Sequence, residues 1–227
     1  MTDPVQVVVA IDGPSGSGKS SVSREVARRL TVGYLDTGAM YRAVTWWAMQ
    51  TGVEWEDAQA LTEAARTAPV EISTDPDHHR VYVGDTDVTE AIRTPDVTSK
   101  VSAVATVPAV REILVDKQRQ IIKDAGRRIV AEGRDITTVV APDAEVRILL
   151  VANEQARMSR RSAQLGGNHD AATLRAQVVG RDVQDSTVVN FSTAADGVIT
   201  LDNSELTLEQ TVQAVLDIVV RSVHELA

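Results

Sequence analysis

Apolar residues recur along this chain in two rhythms, short unbroken runs and longer stretches at helical spacing, and their alternation sketches a fold. Residues 5–11 form a β-branched run that ends at Asp12-Gly13, and residues 19–30 follow with helical periodicity, so strand, glycine-rich turn and helix come first. An extended piece around Tyr34-Leu35 precedes helical stretches over about 39–50 and 56–66, which Pro69 closes. Residues 70–73 and 80–84 alternate apolar with polar around Asp75-Pro76-Asp77, the pattern of a β-hairpin inserted into the main fold. Residues 85–106 are mixed. Pro108 then suits the first position of a helix running to about 124, where Gly126 stops it.

The remaining pattern is a short buried strand over 128–131, a strand over 146–151, a polar helix over 154–164, a break at Gly166-Gly167-Asn168, a helix over 171–183 and a strand over 198–201. The last helix begins at Thr207, where Gln210 three residues on completes a capping box ahead of Leu208, Val212, Val215, Leu216 and Val219. Strands alternating with helices predict an α/β protein whose parallel sheet of about five strands is covered on both faces. One domain is expected: a core (about 1–66, 108–152 and 190–227), an insertion (about 67–107) and a lid (about 153–189).

Gly13-Pro14-Ser15-Gly16-Ser17-Gly18-Lys19-Ser20 has phosphate-loop spacing and lies between a hydrophobic strand and a helix, as that loop requires. Its N–H groups, with Ser21 beside them, would surround an oxyanion at a helix N-terminus; Lys19 would reach the β- and γ-phosphates and Ser20 would ligate magnesium. Such loops serve kinases, motors and switches alike, so the loop alone leaves the reaction open.

Charge narrows the choice. With 23 Lys plus Arg against 32 Asp plus Glu the formal charge is −9, which disfavours a nucleic-acid polymer and leaves room for a small phosphate ligand held by clustered arginines. A kinase acting on a monophosphate must screen two polyanions, and its acceptor oxygen is already anionic and needs positioning more than deprotonation, so it should carry arginines and few bases. Arg42, Arg111 and Arg134 follow strands or begin helices, and Arg157, Arg160, Arg161, Arg175 and Arg181 stud the proposed lid. Cysteine is absent, so thiol chemistry is excluded. His78-His79 reads as a solvated turn in preference to a metal site, and at least one of Trp46, Trp47 and Trp55 as a packing residue in preference to stacking on a base. No stretch reads as a signal sequence or membrane span, so the expectation is a cytoplasmic protein without a membrane partner, and a monomer.

Four segments carry a resemblance: GPSGSGKS, LDTGAMYR over 35–42, the Ser-x5-Pro-x2-Arg stretch from Ser102 to Arg111, and EGRDITTVV over 132–140 followed by PDA. In this order they resemble bacterial cytidylate kinases over nearly the whole chain. The resemblance implies ATP-dependent phosphorylation of CMP and dCMP with Mg2+, and an enlarged monophosphate-binding insertion. It implies catalytic roles for Lys19, Arg134 and Arg181 and ATP contacts from residues 13–21, Arg157 and Arg161. Acceptor contacts would come from Thr37, Arg42, Ser102, Arg111, Arg134, Asp135, Arg181 and Asp185, and metal contacts from Ser20 and, through water, Glu132. Asp135 would accept from the cytosine N4 amino group while Arg111 and Ser102 donate to N3 and O2. Where that family often carries several arginines the chain reads Val183 to Val188, and Glu132 stands where an aspartate is common. The alternatives are a kinase of this architecture acting on UMP or an alcohol, for which Asp36 is the obvious general base, and a slow nucleotide-dependent switch.

Overall fold

The computed structural model describes residues 6–164, 182–183, 186–187, 191 and 193–226. Its main sheet has five parallel strands in the order β2 (Gly33–Asp36), β6 (Arg128–Gly133), β1 (Val7–Asp12), β7 (Val146–Val151) and β8 (Ile199–Asp202). β1 is the central strand, and Asp12 lies level with Gly133 on one side and Leu149 on the other. Asp36 of β2 lies level with Glu132. The carboxyl ends of β1, β2 and β6 thus open on one edge, where ligands bind in sheets of this kind.

The unbroken apolar strands are explained by two buried faces. Val8, Ala10, Leu35, Ile129 and Ala131 pack under α2 (Thr37–Gln50), α3 (Ala58–Thr67), α4 (Pro95–Ala105) and α5 (Pro108–Asp124). Val7, Val9, Ile11, Tyr34, Ile148 and Leu150 pack under α1 (Lys19–Leu30) and the C-terminal helix α7 (Leu208–Leu226). The period of two sends alternate residues to opposite faces, and both are apolar because both are covered.

Local chemistry sets the helix starts. Asp36 accepts from Ala39 N at 2.8 Å, which moves the start of α2 forward to Thr37. Asp57 accepts from Gln59 N and Ala60 N, both at 2.9 Å, so α3 begins at Ala58, two residues later than its apolar pattern suggests. The capping box of α7 forms, with Thr207 N donating to Gln210 Oε1 at 2.9 Å and Gln210 N to Thr207 Oγ1 at 3.2 Å.

The predicted hairpin is β3 (Val70–Ile72) and β4 (Val81–Val83), and a third short strand, β5 (Thr86–Asp87), extends it. This small sheet packs on α2 through Ala39, Ala43, Val81, Val83 and Ile92. Two features depart from the sequence reading. The mixed stretch holds α4, which Pro95 opens at its first turn and which buries Val97, Val101 and Val104 on one face. His79 is buried rather than solvated: its ring stands edge-on to Tyr34 at 5.1 Å, with Nδ1 3.2 Å from Ser73 O, and burial lowers its pKa. His78 remains exposed beside Asp75. Among the described residues no group of acidic or His side chains could hold a metal by itself, and no helix is long and apolar enough to cross a membrane. The first helix of the segment expected to be a lid is α6 (Glu154–Gln164); Gly166-Gly167, the helix expected over 171–183 apart from Asp182 and Val183, and the Val188 position lie outside the described residues.

Candidate active site

The phosphate loop joins β1 to α1 and is shaped by close approach. A Cβ on Gly13 would stand 2.3 Å from Leu150 O, so the loop lies directly on β7. Gly16 (φ 77°) and Gly18 (φ 88°) occupy the left-handed region that side chains disfavour. A Cβ on Gly16 would also meet Arg157 O at 2.9 Å, because α6 packs against the loop. Lys19 Nζ donates to Pro14 O at 3.3 Å and Ser17 N to the same oxygen at 3.3 Å.

The arginines of α6 separate by what they touch. Arg160 donates to Ser17 O at 3.1 Å, Asn203 Oδ1 at 2.9 Å and Asn203 O at 2.6 Å, while Asn203 Nδ2 also donates to Ser17 O at 2.9 Å. It braces the underside of the loop against the segment after β8. Arg157 donates to Ser15 O at 3.1 Å and pairs with Asp182. Asp182 itself accepts from Ser15 N at 2.9 Å and pairs with Arg134 at 2.8 Å. A carboxylate therefore rests where the loop's amide and two guanidiniums converge, an arrangement that suits a phosphate oxygen equally well.

A cavity of about 530 Å³ runs from the loop to α4 and the turn before it. Its wall carries Lys19, Arg24, Arg42, Arg93, Arg111, Arg134 and Arg161 against Asp36, Glu90, Glu132 and Asp135, a local surplus of three positive charges on a chain of net charge −9. This is the clustering that a small polyanion needs and a long one does not. Burial and the charges of Arg42 and Arg93 lower the pKa of Arg161, so these guanidiniums stand close enough to repel one another.

On the insertion side, Arg42 pairs with Asp36 at 2.9 Å and Arg93 approaches the same carboxylate at 3.5 Å. Burial alone would raise the Asp36 pKa, but the two guanidiniums and the Ala39 N–H hold it well below the usual carboxylate range. Capped, paired and strongly acidic, Asp36 is unsuited to general-base work on an alcohol. Thr37 lines the cavity but donates its hydroxyl to Glu132 O at 2.8 Å. Asp135 is buried in an ion pair with Arg111; burial raises its pKa and Arg111 opposes that shift. Thr98, Val101 and Ala105 of α4 face the cavity, whereas Ser102 is buried beside them and does not line it. Arg134 donates to Gly13 O at 3.0 Å, and its guanidinium lies 4.3 Å over the Phe191 ring.

Glu132, the penultimate residue of β6, lies next to the loop and accepts from Ser20 Oγ at 2.5 Å. Burial and the neighbouring Asp36 charge raise its pKa, against the opposing charge of Lys19. A buried carboxylate whose proton affinity is raised, bonded to the loop serine, is a donor set that fits a hard divalent cation.

Sequence reading missed Arg24, Arg93, Asp12 and Asp182. Arg24 stands four residues after Ser20 on α1 and so shares its face, a signal that was present. Arg93 ends a turn of 3-10 helix inside the stretch read as mixed. Asp12 was visible only as a polar residue closing an apolar strand: its buried carboxylate accepts from Ile136 N at 2.7 Å, Thr137 N at 2.9 Å and Thr137 Oγ1 at 2.6 Å, and burial pushes its pKa up to about 6. Arg181 and Asp185 lie outside the described residues.

A parallel sheet with a glycine-rich loop after its central strand, opening on a cation-lined cavity, defines a P-loop phosphotransferase. Comparison with known proteins gives the particular kind. The cytidylate kinase family model matches residues 9–221, and the chain belongs to that family, a group of nucleoside monophosphate kinases. It is 48% identical over 214 residues to a cytidylate kinase of Cutibacterium acnes, covering 94% of this chain and 96% of that one. It is 46% identical over 228 residues to one of Nocardia farcinica, covering 98% and 97%. A crystal structure of an uncharacterized protein from Eubacterium ventriosum shares the fold, with a TM-score of 0.52, 11% identity and coverage of 93% of this chain and 97% of that one.

Proposed function

We propose that this protein transfers the γ-phosphoryl group of ATP to the 5′-phosphate of CMP and dCMP, giving ADP and the diphosphate, in the cytoplasm. The observation that carries this reading is the buried Arg111–Asp135 pair on the wall of the cavity that also holds the phosphate loop. It offers an acceptor and a donor side by side. Asp135 would take the cytosine N4 amino hydrogens and Arg111 would donate to N3 and O2, with Ser102 behind them on α4.

Lys19, the loop N–H groups and Arg157 and Arg161 would hold the donor phosphates, and Arg42 and Arg134 the acceptor phosphate. The attacking oxygen is already anionic, so the residues position and screen it and no base is required. Ser20 and, through water, Glu132 would hold Mg2+, which when bound would screen the phosphate charge. Lys19 and Arg134 would meet the charge that shifts along the transfer axis in the transition state. The helix α6, packed on Gly16, would exclude water from the transferred group.

The reading is tested by ADP formation from Mg-ATP with CMP, dCMP, UMP, AMP, GMP or no acceptor. Turnover that depends on CMP or dCMP supports it. Equal turnover without an acceptor would mean a hydrolytic protein instead, and a preference for UMP would overturn the role given to Asp135.

A further inference from the structure

The candidate acceptor residues Arg134 and Asp135 are consecutive, and both ends of the short segment that carries them are fastened to one residue. On the near side, β6 runs level with β1 as far as Gly133 opposite Asp12. On the far side, the chain enters a turn of π-helix, Ile136–Val140, whose first N–H groups need partners. Ile136 N and Thr137 N both donate to the Asp12 carboxylate, and Thr137 Oγ1 adds a third bond. The segment folds back with little room: a Cβ on Gly133 would stand 2.5 Å from Thr37 Oγ1 and 2.8 Å from Ile136 Cδ1.

Asp12 is also the residue from which the phosphate loop departs. Arg134 reaches across to the carbonyl of Gly13, the next residue, at 3.0 Å. A single buried carboxylate thus joins the donor cradle to the acceptor-reading segment, and it does not line the cavity itself.

We infer that Asp12 is a positioning residue that sets where Asp135 and Arg134 stand relative to the phosphate loop, and so governs acceptor binding and base selectivity. This rests on the roles given above to those two residues. Only a carboxylate can do it, because its two oxygens accept from three donors at once. An amide in the same place would turn its NH2 group toward a backbone N–H, and the turn behind Asp135 would shift. Misplacement of a reacting group through a remote change is costly even when small.

The test compares steady-state kinetics of the wild type, Asp12→Asn, Thr137→Val and Asp135→Asn with CMP, UMP and ATP. In Asp12→Asn the KM for CMP should rise about tenfold to a hundredfold and the CMP-over-UMP ratio of kcat/KM should fall at least as much, while the KM for ATP stays within about threefold. Thr137→Val, which keeps the carboxylate and deletes one of its bonds, should move both in the same direction by about threefold to tenfold. A purely structural role would lower the amount of active enzyme and leave the base ratio alone. An unchanged ratio in Asp12→Asn, or in Thr137→Val should the first variant not fold, overturns the inference if Asp135→Asn collapses that ratio. If Asp135→Asn also leaves it unchanged, the reading of Asp135 fails and this inference with it.

Discussion

Replacing Asp135 with Asn keeps the shape of the side chain and changes what one of its atoms can do, and that makes it the sharpest probe of acceptor recognition. In the wild type the buried carboxylate, 5% exposed, offers only acceptors. On the proposed reading cytosine would meet it with an amino group, a hydrogen bond to a charged partner worth about 1.5–3 kcal/mol, whereas uracil would bring a carbonyl oxygen that is repelled. An asparagine amide offers NH2 to that oxygen and removes the repulsion while weakening the contact with cytosine. The two changes act in opposite directions on CMP and UMP, so the discrimination between them should shrink by about 2–4 kcal/mol, or roughly thirtyfold to a thousandfold in the ratio of kcat/KM. Loss of the ion pair with Arg111 costs stability as well. Because Arg111 is 18% exposed and Asn can still accept one of its N–H bonds, that cost should be about 1–3 kcal/mol, less than for a wholly buried pair. Initial rates in a coupled ADP assay with each acceptor, at saturating Mg-ATP, read the ratio directly, and the KM for ATP serves as the internal control. A ratio that moves by less than about threefold, or an ATP KM that rises as much as the CMP KM, would refute the assignment.

Other expectations follow from the same geometry. Glu132→Gln, which removes the charge bonded to Ser20, should raise the Mg2+ concentration for half-maximal rate about tenfold or more while changing CMP binding little; an unaltered Mg2+ titration would contradict the placement. Asp182 lies on Ser15 N, Arg134 and Arg157, so on the proposed reading phosphates would displace it; Asp182→Asn should tighten ADP binding by roughly threefold to tenfold in calorimetry, and weaker binding would show that this carboxylate aids the loaded state. Asp12 has a pKa raised from 3.8 to about 6, so the folded state binds this proton more tightly than the unfolded one. Relative to Asp12→Asn, wild-type stability should therefore rise as the pH falls from 7 to 4, by up to about 3 kcal/mol in denaturant titrations, and a fall would contradict the burial argument.

How much of this was legible along the chain depends on the range of the contacts. The phosphate loop is contiguous, and the loop needs only local backbone geometry, so GPSGSGKS between a strand and a helix was sufficient to place it. Strands β1, β6 and β7 were legible because both faces are covered and their cores are apolar runs, and the capping box of α7 is a contact over three residues. Helix α4 was missed because its polar face is built from Asp96, Thr98, Ser99 and Lys100 and its buried positions are mostly Val, a composition of low helix propensity that tertiary packing overrides. His79 was misread because a turn signal says nothing of Tyr34, whose ring buries it from 45 residues earlier in the chain. The bonds from Asp12 to the Ile136–Thr137 turn and from Ser15 to Asp182 join residues 124 and 167 positions apart, and no local pattern encodes such pairings. The family resemblance, by contrast, pointed to Arg42, Arg111, Arg134 and Asp135, and all four line one cavity.

The central claim is that a phosphoryl group passes from ATP to a cytidine monophosphate held on that cavity wall. It is tested most directly by incubating the protein with Mg2+, CMP and ATP labelled in the γ-phosphate, and separating the products. The account predicts label in the β-phosphate of CDP, none in CDP when Lys19 is replaced by Ala, and little label in inorganic phosphate whether or not CMP is present. Label released as inorganic phosphate at the same rate without CMP, or CDP still formed by the Lys19→Ala variant, would contradict it.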